Sequence, residues 1–517
     1  MATYPQKRGQ IFLAQEDWPH ILENVAKRGI VGRDAEQKTL AEMLASKRCE
    51  LLALYGRRRI GKTYLIRQYL GEAAGTYFEV TGTKSGSAAL QRRRFREALE
   101  STFLGGQPLP DFRSWEDALS YLSDELQRRA QAEPKKTIVI FFDELPWLAT
   151  PRAGMLEAID YHWNARWSKI PQLKVVLCGS AASWMLRRIV HAKSGLHNRL
   201  TRQIRLAPLS LAETDKYLKA RGMRMKPRET LELYLALGGV PYYLDRLIRS
   251  ESVTEAIGRL CFERDGPLRN EFDDVFASLF EEHEEHMLLL RTLAKRAEGM
   301  TRQDLVIASG LRSGGGLNRR LQELAESGFI ARIAPYGSLK KSTQYRVIDE
   351  FTLFYLRWMD HAPRGVLARG GASYFRARAE TPNYKAWQGY AFEGVCLKHA
   401  RELQRALGID NLVTSVGTWR FVPRAKSEKR RGAQVDLLFD RRDNVINLCE
   451  LKFSNGPYVV SKSYARELKD KMSLFAEYTK TRKRVILTLV SPYGLKPNTW
   501  SEDLIDRVVD ATALFRS

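Results

Sequence analysis

The feature that most constrains this chain is the run Gly56-Arg57-Arg58-Arg59-Ile60-Gly61-Lys62-Thr63. It matches the phosphate-binding pattern G-x-x-x-x-G-K-[ST], and it lies between an apolar run at 51–55 and a helical stretch at 64–70, which is the setting that the pattern needs. The glycines let backbone N–H groups close around phosphates, while the lysine reaches the β- and γ-phosphates and the threonine hydroxyl binds Mg²⁺. All eight residues are therefore predicted to form an ATP site, with Thr63 as a metal ligand.

A second segment supplies the acids that such a site requires. The apolar run 138–142 ends in Asp143-Glu144. At the end of a strand, Asp143 is expected to hold Mg²⁺ through water, and Glu144 to act as the general base that polarises the attacking water. An apolar strand ending in Asp-Glu often only leads into a helix, but downstream of a P-loop it indicates ATP hydrolysis.

The alternation of apolar runs and helical stretches predicts the organisation of the whole chain. Strand-like runs at 76–80, 137–142 and 174–178 are separated by helical patterns, which indicates an α/β fold with a parallel sheet. The predicted segments are an N-terminal leader at 1–29, a P-loop ATPase core at 30–210, a helical lid at 211–280, a winged helix-turn-helix at 281–358, a linker at 359–384 and a second α/β domain at 385–517.

Composition narrows the choice of partners and location. The formal net charge of +24 over 517 residues attracts polyanions, so nucleic acid is the first expectation, DNA ahead of RNA. The alternative is a basic protein that needs its charge for solubility or meets acidic protein or lipid surfaces. No apolar run approaches bilayer length and residues 1–10 show no secretory signal, so the protein is expected to be cytoplasmic, with no membrane contact. Five cysteines without C-x-x-C spacing are predicted to be reduced core residues.

Beyond the P-loop, residues 30–260 resemble the archaeal-type ATPases, P-loop proteins related to the AAA+ and STAND groups and found in archaea and bacteria. The resemblance rests on short segments in a fixed order: Gly32-Arg33, the P-loop, Asp143-Glu144, Cys178-Gly179-Ser180 and Gly238-Gly239-Val240-Pro241.

The resemblance implies two further site residues. Ser180 would take the polar sensor place near the γ-phosphate, although it could instead cap the next helix. Arg199 would act as an arginine finger on a neighbouring subunit's ATP, which requires a homo-oligomer. Family members commonly have Gly-Arg where this chain has Asn198-Arg199, so Arg202 competes for the finger role.

The C-terminal segment carries a second set of acids. Asp436 and the run Glu450-Leu451-Lys452 lie on two predicted strands joined by a turn at 441–444, and alternation puts Glu450 and Lys452 on one face. Two converging carboxylates can hold Mg²⁺ or Mn²⁺. Such spacing often marks only a solvated polar face. However, Asp436 and Glu450 stand inside apolar strands, where an ionised group is costly without a metal or partner.

The order helix-strand-strand-strand-helix-strand at 387–489 resembles the PD-(D/E)XK nuclease superfamily, which has a restriction-endonuclease-like fold. This resemblance implies Glu393, Asp436, Glu450 and Lys452 as the active-site set. Val435 stands where the Pro of the Pro-Asp pair would be. The basic run 424–431 could follow a phosphate backbone or form a surface loop.

The functional expectation is an ATP-binding and hydrolysing protein that regulates a metal-dependent nuclease, an activity that would suit genome defence or mobile-element control. One alternative is an ATPase switch or scaffold that binds DNA without cutting it, and another is a chaperone-like ATPase acting on proteins. The winged helix either contacts DNA or serves only as a packing element. Its candidate DNA contacts are Arg312, Asn318, Arg319 and Arg320.

Overall fold

The computed structural model of the protein describes residues 29–191, 195–280, 282–337, 343–421 and 432–516. The predicted leader, apart from residue 29, and the basic run 424–431 lie outside the described residues. No helix in the described ranges is both long and apolar enough to cross a membrane. All five cysteines are buried thiols.

The N-terminal part is built on a five-stranded sheet in the order β2-β3-β4-β1-β5. Every neighbouring pair is parallel, which confirms the predicted parallel sheet. The strands are β1 Glu50–Tyr55, β2 Thr76–Thr81, β3 Ile138–Asp143, β4 Leu173–Gly179 and β5 Arg202–Arg205. The three central strands are buried along their whole length because helices cover both faces of the sheet.

The helices of this part are α1 Asp34–Ala45, α2 Lys62–Ile66, α3 Ala88–Phe103, α4 Trp115–Ala132, α5 Leu145–Leu148, α6 Met155–Ala165 and α7 Ala182–Met185. Helices α1 and α2 pack on one face of the sheet, and the others pack on the opposite face, so each face has its own hydrophobic cluster. A capping box between Ser114 and Asp117 fixes the start of α4.

A helical region follows and ends in a small antiparallel sheet of order β6-β8-β7. Its helices are α8 Leu211–Ala220, α9 Pro227–Leu237, α10 Pro241–Leu244, α11 Val253–Ile257, α12 Glu271–Leu279, α13 His283–Leu293, α14 Arg302–Ser309 and α15 Gly315–Glu326. Its strands are β6 Met300–Thr301, β7 Ile330–Ile333 and β8 Gln344–Val347.

The segment predicted as a linker is largely helical. Helix α17 Arg364–Ala379 occupies most of residues 359–384, and helix α16 Glu350–Phe354 precedes it, at the end of the predicted winged helix-turn-helix segment. Helix α17 packs closely on the turn Gly258–Phe262: a Cβ at Gly371 would lie 1.8 Å from the carbonyl oxygen of Phe262. Gly371, one of the glycines that made this segment look like a linker, therefore permits close helix packing.

The C-terminal part is a five-stranded mixed sheet of order β13-β12-β11-β10-β9. Its elements are α18 Pro382–Lys398, α19 Ala400–Leu407, β9 Val413–Phe421, β10 Ala433–Arg441, β11 Val445–Leu451, α20 Lys462–Thr479, β12 Arg484–Ser491, α21 Thr499–Glu502 and β13 Arg507–Asp510. Strands β9, β10 and β11 pair antiparallel, whereas β11, β12 and β13 pair parallel.

The two faces of this sheet belong to different cores. One face packs on α20, with Leu438, Leu448 and Phe475 in the same cluster. The other face joins a single large cluster that draws buried residues from Leu209 to Leu514. The helical region and the C-terminal sheet thus share one hydrophobic core, so the predicted boundaries between them do not coincide with a break in the packing.

Candidate nucleotide site and acidic cluster

The strand order of the N-terminal sheet gathers the predicted nucleotide ligands at one edge. Strand β4 lies between β1 and β3. The carboxyl end of β1 leads into the P-loop, that of β4 leads into Ser180, and that of β3 carries Asp143-Glu144. Ligands commonly bind at this edge of an open parallel sheet.

The P-loop backbone follows a path that its glycines permit. Gly56 has φ 154° and Gly61 has φ 89°, both in the region that favours glycine. A Cβ at Gly56 would lie only 2.2 Å from the carbonyl oxygen of Leu206. The loop therefore tolerates no side chain at Gly56, and its close packing on the chain after β5 holds it in place.

Lys62 is folded over this loop. The side chain is buried, and its Nζ donates hydrogen bonds to the carbonyl oxygens of Gly56 at 2.9 Å and Arg57 at 3.0 Å. The ammonium group therefore lies on the loop where phosphates would bind.

Thr63 and Asp143 meet directly, although they come from different elements. The Thr63 Oγ1 donates to Asp143 Oδ2 at 2.8 Å, and the other carboxylate oxygen of Asp143 accepts the Glu144 N–H at 3.0 Å. A hydroxyl and a carboxylate at one point are hard oxygen ligands that suit Mg²⁺. These residues thus fit the predicted metal, which would neutralise charge on the β- and γ-phosphates when bound.

Ser180 is bonded to the predicted general base. Glu144 has a left-handed backbone, φ 49°, and its Oε2 accepts hydrogen bonds from both the N–H and the hydroxyl of Ser180, at 3.0 and 2.7 Å. The residue at the start of α7 is Ala181, and no side chain caps that helix. The Ser180 hydroxyl therefore donates to Glu144 and does not cap α7.

Two of the three P-loop arginines form ion pairs with residues outside the ATPase core. Arg57 forms a buried ion pair with Asp349, at the start of α16, and Arg59 pairs with Glu271 of α12. The Arg59 guanidinium also lies 4.0 Å from the ring centroid of Tyr242. Arg58 is exposed. The P-loop is thus attached to the helical region and to the segment between β8 and α16, and the sequence pattern did not indicate these partners.

The two candidates for an arginine finger differ in their surroundings. Arg199 ends a short 3-10 helix and is exposed. Arg202 is tied within its own chain, to Glu42 at 2.9 Å and Glu50 at 3.4 Å. Exposure favours Arg199 as the group that could reach a neighbouring subunit.

The second site lies on the predicted hairpin of β10 and β11. Leu437 pairs with Cys449, so one step along the ladder Asp436 comes opposite Glu450. On its other side, β10 has a register shift between Val435 and Leu438. A bulge of this kind re-aims side chains and is common beside active sites.

Glu450 is buried but well supplied with partners. It accepts a hydrogen bond from the Tyr464 hydroxyl and forms ion pairs with Lys471 at 2.7 Å and Lys452 at 3.0 Å. Burial on its own would raise the pKa of Glu450, but Lys471 and Lys452 outweigh it, so the pKa lies below its usual value. The carboxylate is therefore ionised at neutral pH.

The charges of the two other acids, Asp436 and Glu393, are less well compensated by neighbouring cations. Burial raises the pKa of Asp436, and the nearby Glu450 carboxylate raises it further. Burial and the Asp436 carboxylate together raise the pKa of Glu393 to about 7, although Arg346 contacts Glu393 Oε2 at 3.0 Å. Glu393, Asp436, Glu450 and Lys452 therefore lie close enough to influence one another's charge.

The acidic cluster partly fits a divalent cation. Among the described residues, no three His, Cys, Asp or Glu side chains lie close enough to hold a metal ion. The predicted ligands are the two carboxylates Asp436 and Glu450, and their mutual repulsion is what a divalent cation would offset. Glu393 instead forms an ion pair with Arg346.

Three residues that contact the acidic cluster were not predicted from the sequence: Arg346, Tyr464 and Lys471. Lys471 had a recognisable signal, because it lies on the same stripe of α20 as the buried Leu468 and Phe475, where a lysine needs a partner. Arg346 had none, since it reaches the cluster from β8, outside the predicted nuclease-like segment.

The candidate DNA contacts around α15 are partly engaged within the chain. Asn318 accepts a hydrogen bond from Arg302 at 2.6 Å, and Arg320 pairs with Glu282 at 2.9 Å and Glu285 at 2.8 Å. Arg312 and Arg319 are exposed, although Arg319 also lies 3.7 Å from Glu282.

Comparisons with known proteins agree with the nucleotide site. Residues 30–247 match the family model of an ATPase domain predominantly from Archaea. The chain is 26% identical over 425 residues to an uncharacterized protein of Methanocaldococcus jannaschii, covering 79% of this chain and 83% of that protein.

Among solved structures, the Walker-type ATPase of Pyrococcus abyssi is 19% identical, with a TM-score of 0.45, and covers 63% of this chain and 96% of its own. The Aeropyrum pernix ORC2 protein, in ADPNP–ADP complexes, is 16% identical with a TM-score of 0.36, and covers 68% and 95%. The Thermotoga maritima RuvB Holliday junction branch migration motor is 15% identical with a TM-score of 0.34, and covers 61% and 92%. On the family match and the site geometry, residues 30–247 form an ATPase domain.

Proposed function

We propose that the protein is an ATP-regulated, metal-dependent nuclease that acts on nucleic acid, with DNA favoured over RNA. The observation that carries the proposal is the mutual influence of Glu393, Asp436, Glu450 and Lys452 around one hairpin. Four buried or half-buried ionisable groups on and beside the inner strands β10 and β11 are costly unless they have charged partners or serve a ligand or a reaction.

On the ATPase side, the residues have separate tasks. Lys62 and the loop amides would bind the phosphates, Thr63 and Asp143 would hold Mg²⁺, and Glu144 would orient and deprotonate the attacking water. Because Ser180 donates two hydrogen bonds to Glu144, it holds the base in place.

On the nuclease side, Asp436 and Glu450 would hold Mg²⁺ or Mn²⁺, which supplies an activated water and offsets charge on the phosphate. The Lys452 Nζ lies 3.0 Å from Glu450, where it can contact a phosphate oxygen beside the carboxylates. Lys471 and Tyr464 keep Glu450 ionised and correctly oriented. The net charge of +24 attracts the polyanionic substrate.

The direct test is cleavage of a panel of single- and double-stranded DNA and RNA in Mg²⁺ or Mn²⁺, with and without ATP. Lys452→Ala is expected to abolish cleavage while leaving ATP hydrolysis unchanged, and Lys62→Ala is expected to abolish ATP hydrolysis and alter cleavage. Lys469→Ala, at an exposed lysine on α20, is the matched control and should behave as wild type. Failure of pure, ATP-hydrolysing protein to cut any substrate would reject the nuclease.

A second candidate is an ATPase switch that binds DNA without cutting it. The observation that favours it is the engagement of Glu393 by Arg346, which leaves no three-acid metal site among the residues that the structure describes. Salt-dependent DNA binding without cleavage in either metal would support this candidate.

A further inference from the structure

Residues 346–350, here called the connector, join the end of β8 to the start of α16 and carry three charged side chains with partners in three different places. The first is Asp349, whose Oδ1 accepts a hydrogen bond from P-loop Arg57, both side chains being only 4% exposed. Its other oxygen accepts from the N–H and the hydroxyl of Thr352, at 3.0 and 2.7 Å. Asp349 is therefore fixed in direction and faces the nucleotide loop.

The second charged residue of the connector is Glu350. Its two carboxylate oxygens both lie 2.9 Å from the Nζ of Lys398, at the C-terminal end of α18. Helix α18 also carries Glu393, about one and a half turns earlier, so this ion pair ties the connector to the helix of the acidic cluster.

The third is Arg346, which reaches the acidic cluster itself. Its Nη2 lies 3.0 Å from Glu393 Oε2 and 3.4 Å from the carbonyl oxygen of Tyr390, and the side chain is 3% exposed. Its Nε has no hydrogen-bond partner among the described residues. The guanidinium therefore holds Glu393 while its own hydrogen bonding is incomplete.

We propose that the connector couples the P-loop to the acidic cluster, with Arg346 acting as a positioning residue for Glu393. This inference rests on the proposed function and adds a means of regulation to it. Arg57 belongs to the P-loop and its guanidinium is held by Asp349, so a movement of the loop on nucleotide binding is passed to Asp349, because a buried carboxylate is not left without a cation. Asp349 and the connector must then reorganise, and the change reaches Glu393 through Lys398 and Arg346.

The coupling can be measured without any nuclease assay. Hydrogen–deuterium exchange of the full chain is followed by mass spectrometry, with and without saturating Mg²⁺ and a slowly hydrolysed ATP analogue. Binding of the analogue is titrated separately. In wild type, the analogue is expected to change exchange several-fold in peptides from α18 and from the β10–β11 hairpin.

Two substitutions cut the connection at different points. Asp349→Asn removes the partner of Arg57, and Lys398→Gln removes the partner of Glu350 without touching the P-loop. Each is expected to retain analogue binding. Asp349→Asn should lose most of the exchange response at α18 and the hairpin, whereas Lys398→Gln, which leaves the Arg346–Glu393 contact in place, should lose most of the response at α18. Asp360→Asn, which removes the acid that pairs with Arg291 outside the connector, is the matched control and should respond as wild type.

The inference is overturned if saturated wild-type protein shows no change at α18 or the hairpin, or if Lys398→Gln responds as fully as wild type. Should Asp349→Asn fail to fold, Lys398→Gln alone decides. These outcomes concern exchange, so they are independent of whether the protein cuts nucleic acid, which the cleavage panel decides.

Discussion

At the scale of single residues, the task that we propose for Ser180 is to hold the Glu144 carboxylate in place. Because its N–H and hydroxyl both bond Glu144 Oε2, Ser180→Ala should leave the carboxylate able to rotate away from the attacking water. We expect kcat for ATP hydrolysis to fall about tenfold and nucleotide affinity to stay unchanged, whereas Glu144→Gln should lose about 10²–10⁴-fold. Steady-state hydrolysis and nucleotide titration check both values.

Ser183→Ala is the control for this prediction, since Ser183 is a buried serine of the following helix α7. A Ser180→Ala protein that hydrolyses ATP at the wild-type rate would show that Glu144 is oriented by other means. A loss of nucleotide affinity alone would instead place Ser180 at the phosphates.

Individual residues also show how far the sequence could predict the sites. Three predicted groups are each continuous in sequence, so a local pattern was enough to predict their chemistry. They are the P-loop, the pair Asp143-Glu144 and the run from Glu450 to Lys452. Arg346 acts on Glu393 from another segment of the chain. Such a contact depends on how separate elements pack, and no local pattern encodes it.

At the scale of secondary-structure elements, His399 joins α18 and α19 to the helical region. Its Nδ1 donates to the Val395 carbonyl at 2.9 Å, and its Nε2 accepts the Leu211 N–H at 3.1 Å. This arrangement needs a neutral ring, and burial lowers the pKa of His399 to about 4. The unfolded chain therefore binds more protons than the folded one between about pH 4 and the ordinary pKa near 6.5.

The stability of the wild-type protein should accordingly fall as the pH decreases through this window, by up to about 3 kcal/mol from this residue. Urea unfolding between pH 4.5 and 7.5 measures it. His399→Asn should be less stable at neutral pH but should show a shallower pH dependence. An equal slope in both proteins would assign the acid sensitivity to other groups.

The helix α15 allows a test of whether the predicted winged helix contacts DNA. Arg319 is exposed, whereas Arg320 is held by Glu282 and Glu285. If α15 meets a phosphate backbone, Arg319→Ala should reduce the slope of log affinity against log salt by about 1, and Arg320→Ala should leave it unchanged. DNA filter binding across a salt series measures both. An unchanged slope in Arg319→Ala would leave this module a packing role only.

Elements that the sequence did not predict share a physical cause. Strand β5 is only four residues long, with arginine at both ends and a single apolar residue, so it lacks an apolar run; pairing with β1 makes it a strand. Helix α17 lacks clear periodicity because its close contact with the turn at Phe262 selects small residues such as Gly371. In both cases tertiary contacts override a weak local preference.

At the scale of the whole molecule, the nucleotide loop lies at the boundary between separate hydrophobic cores. The ATPase sheet has a cluster on each face, and the rest of the chain from residue 209 shares another with one face of the C-terminal sheet. The ion pairs of Arg57 and Arg59 cross this boundary. A nucleotide that changes these pairs therefore acts where the two parts of the molecule meet.

The assembly can be tested by mixing inactive proteins. If Arg199 completes the ATP site of a neighbouring subunit, Arg199→Ala and Lys62→Ala should each lose hydrolysis, for different reasons. In a mixed oligomer with head-to-tail contacts, an intact P-loop of one variant meets the intact arginine of the other, so up to about a quarter of the wild-type rate should return. Neither variant should gain activity when mixed with a protein that carries both substitutions.

The same design separates Arg199 from Arg202. Arg202 already pairs with Glu42 and Glu50 of its own chain, so Arg202→Ala should act on the folding of its own subunit and show no rescue by Lys62→Ala. If mixing with Lys62→Ala restores activity to Arg202→Ala but not to Arg199→Ala, Arg202 is the arginine finger. Rescue of neither, in a preparation shown by light scattering to be oligomeric, would mean that each subunit completes its own ATP site, and that the exposed Arg199 serves another contact.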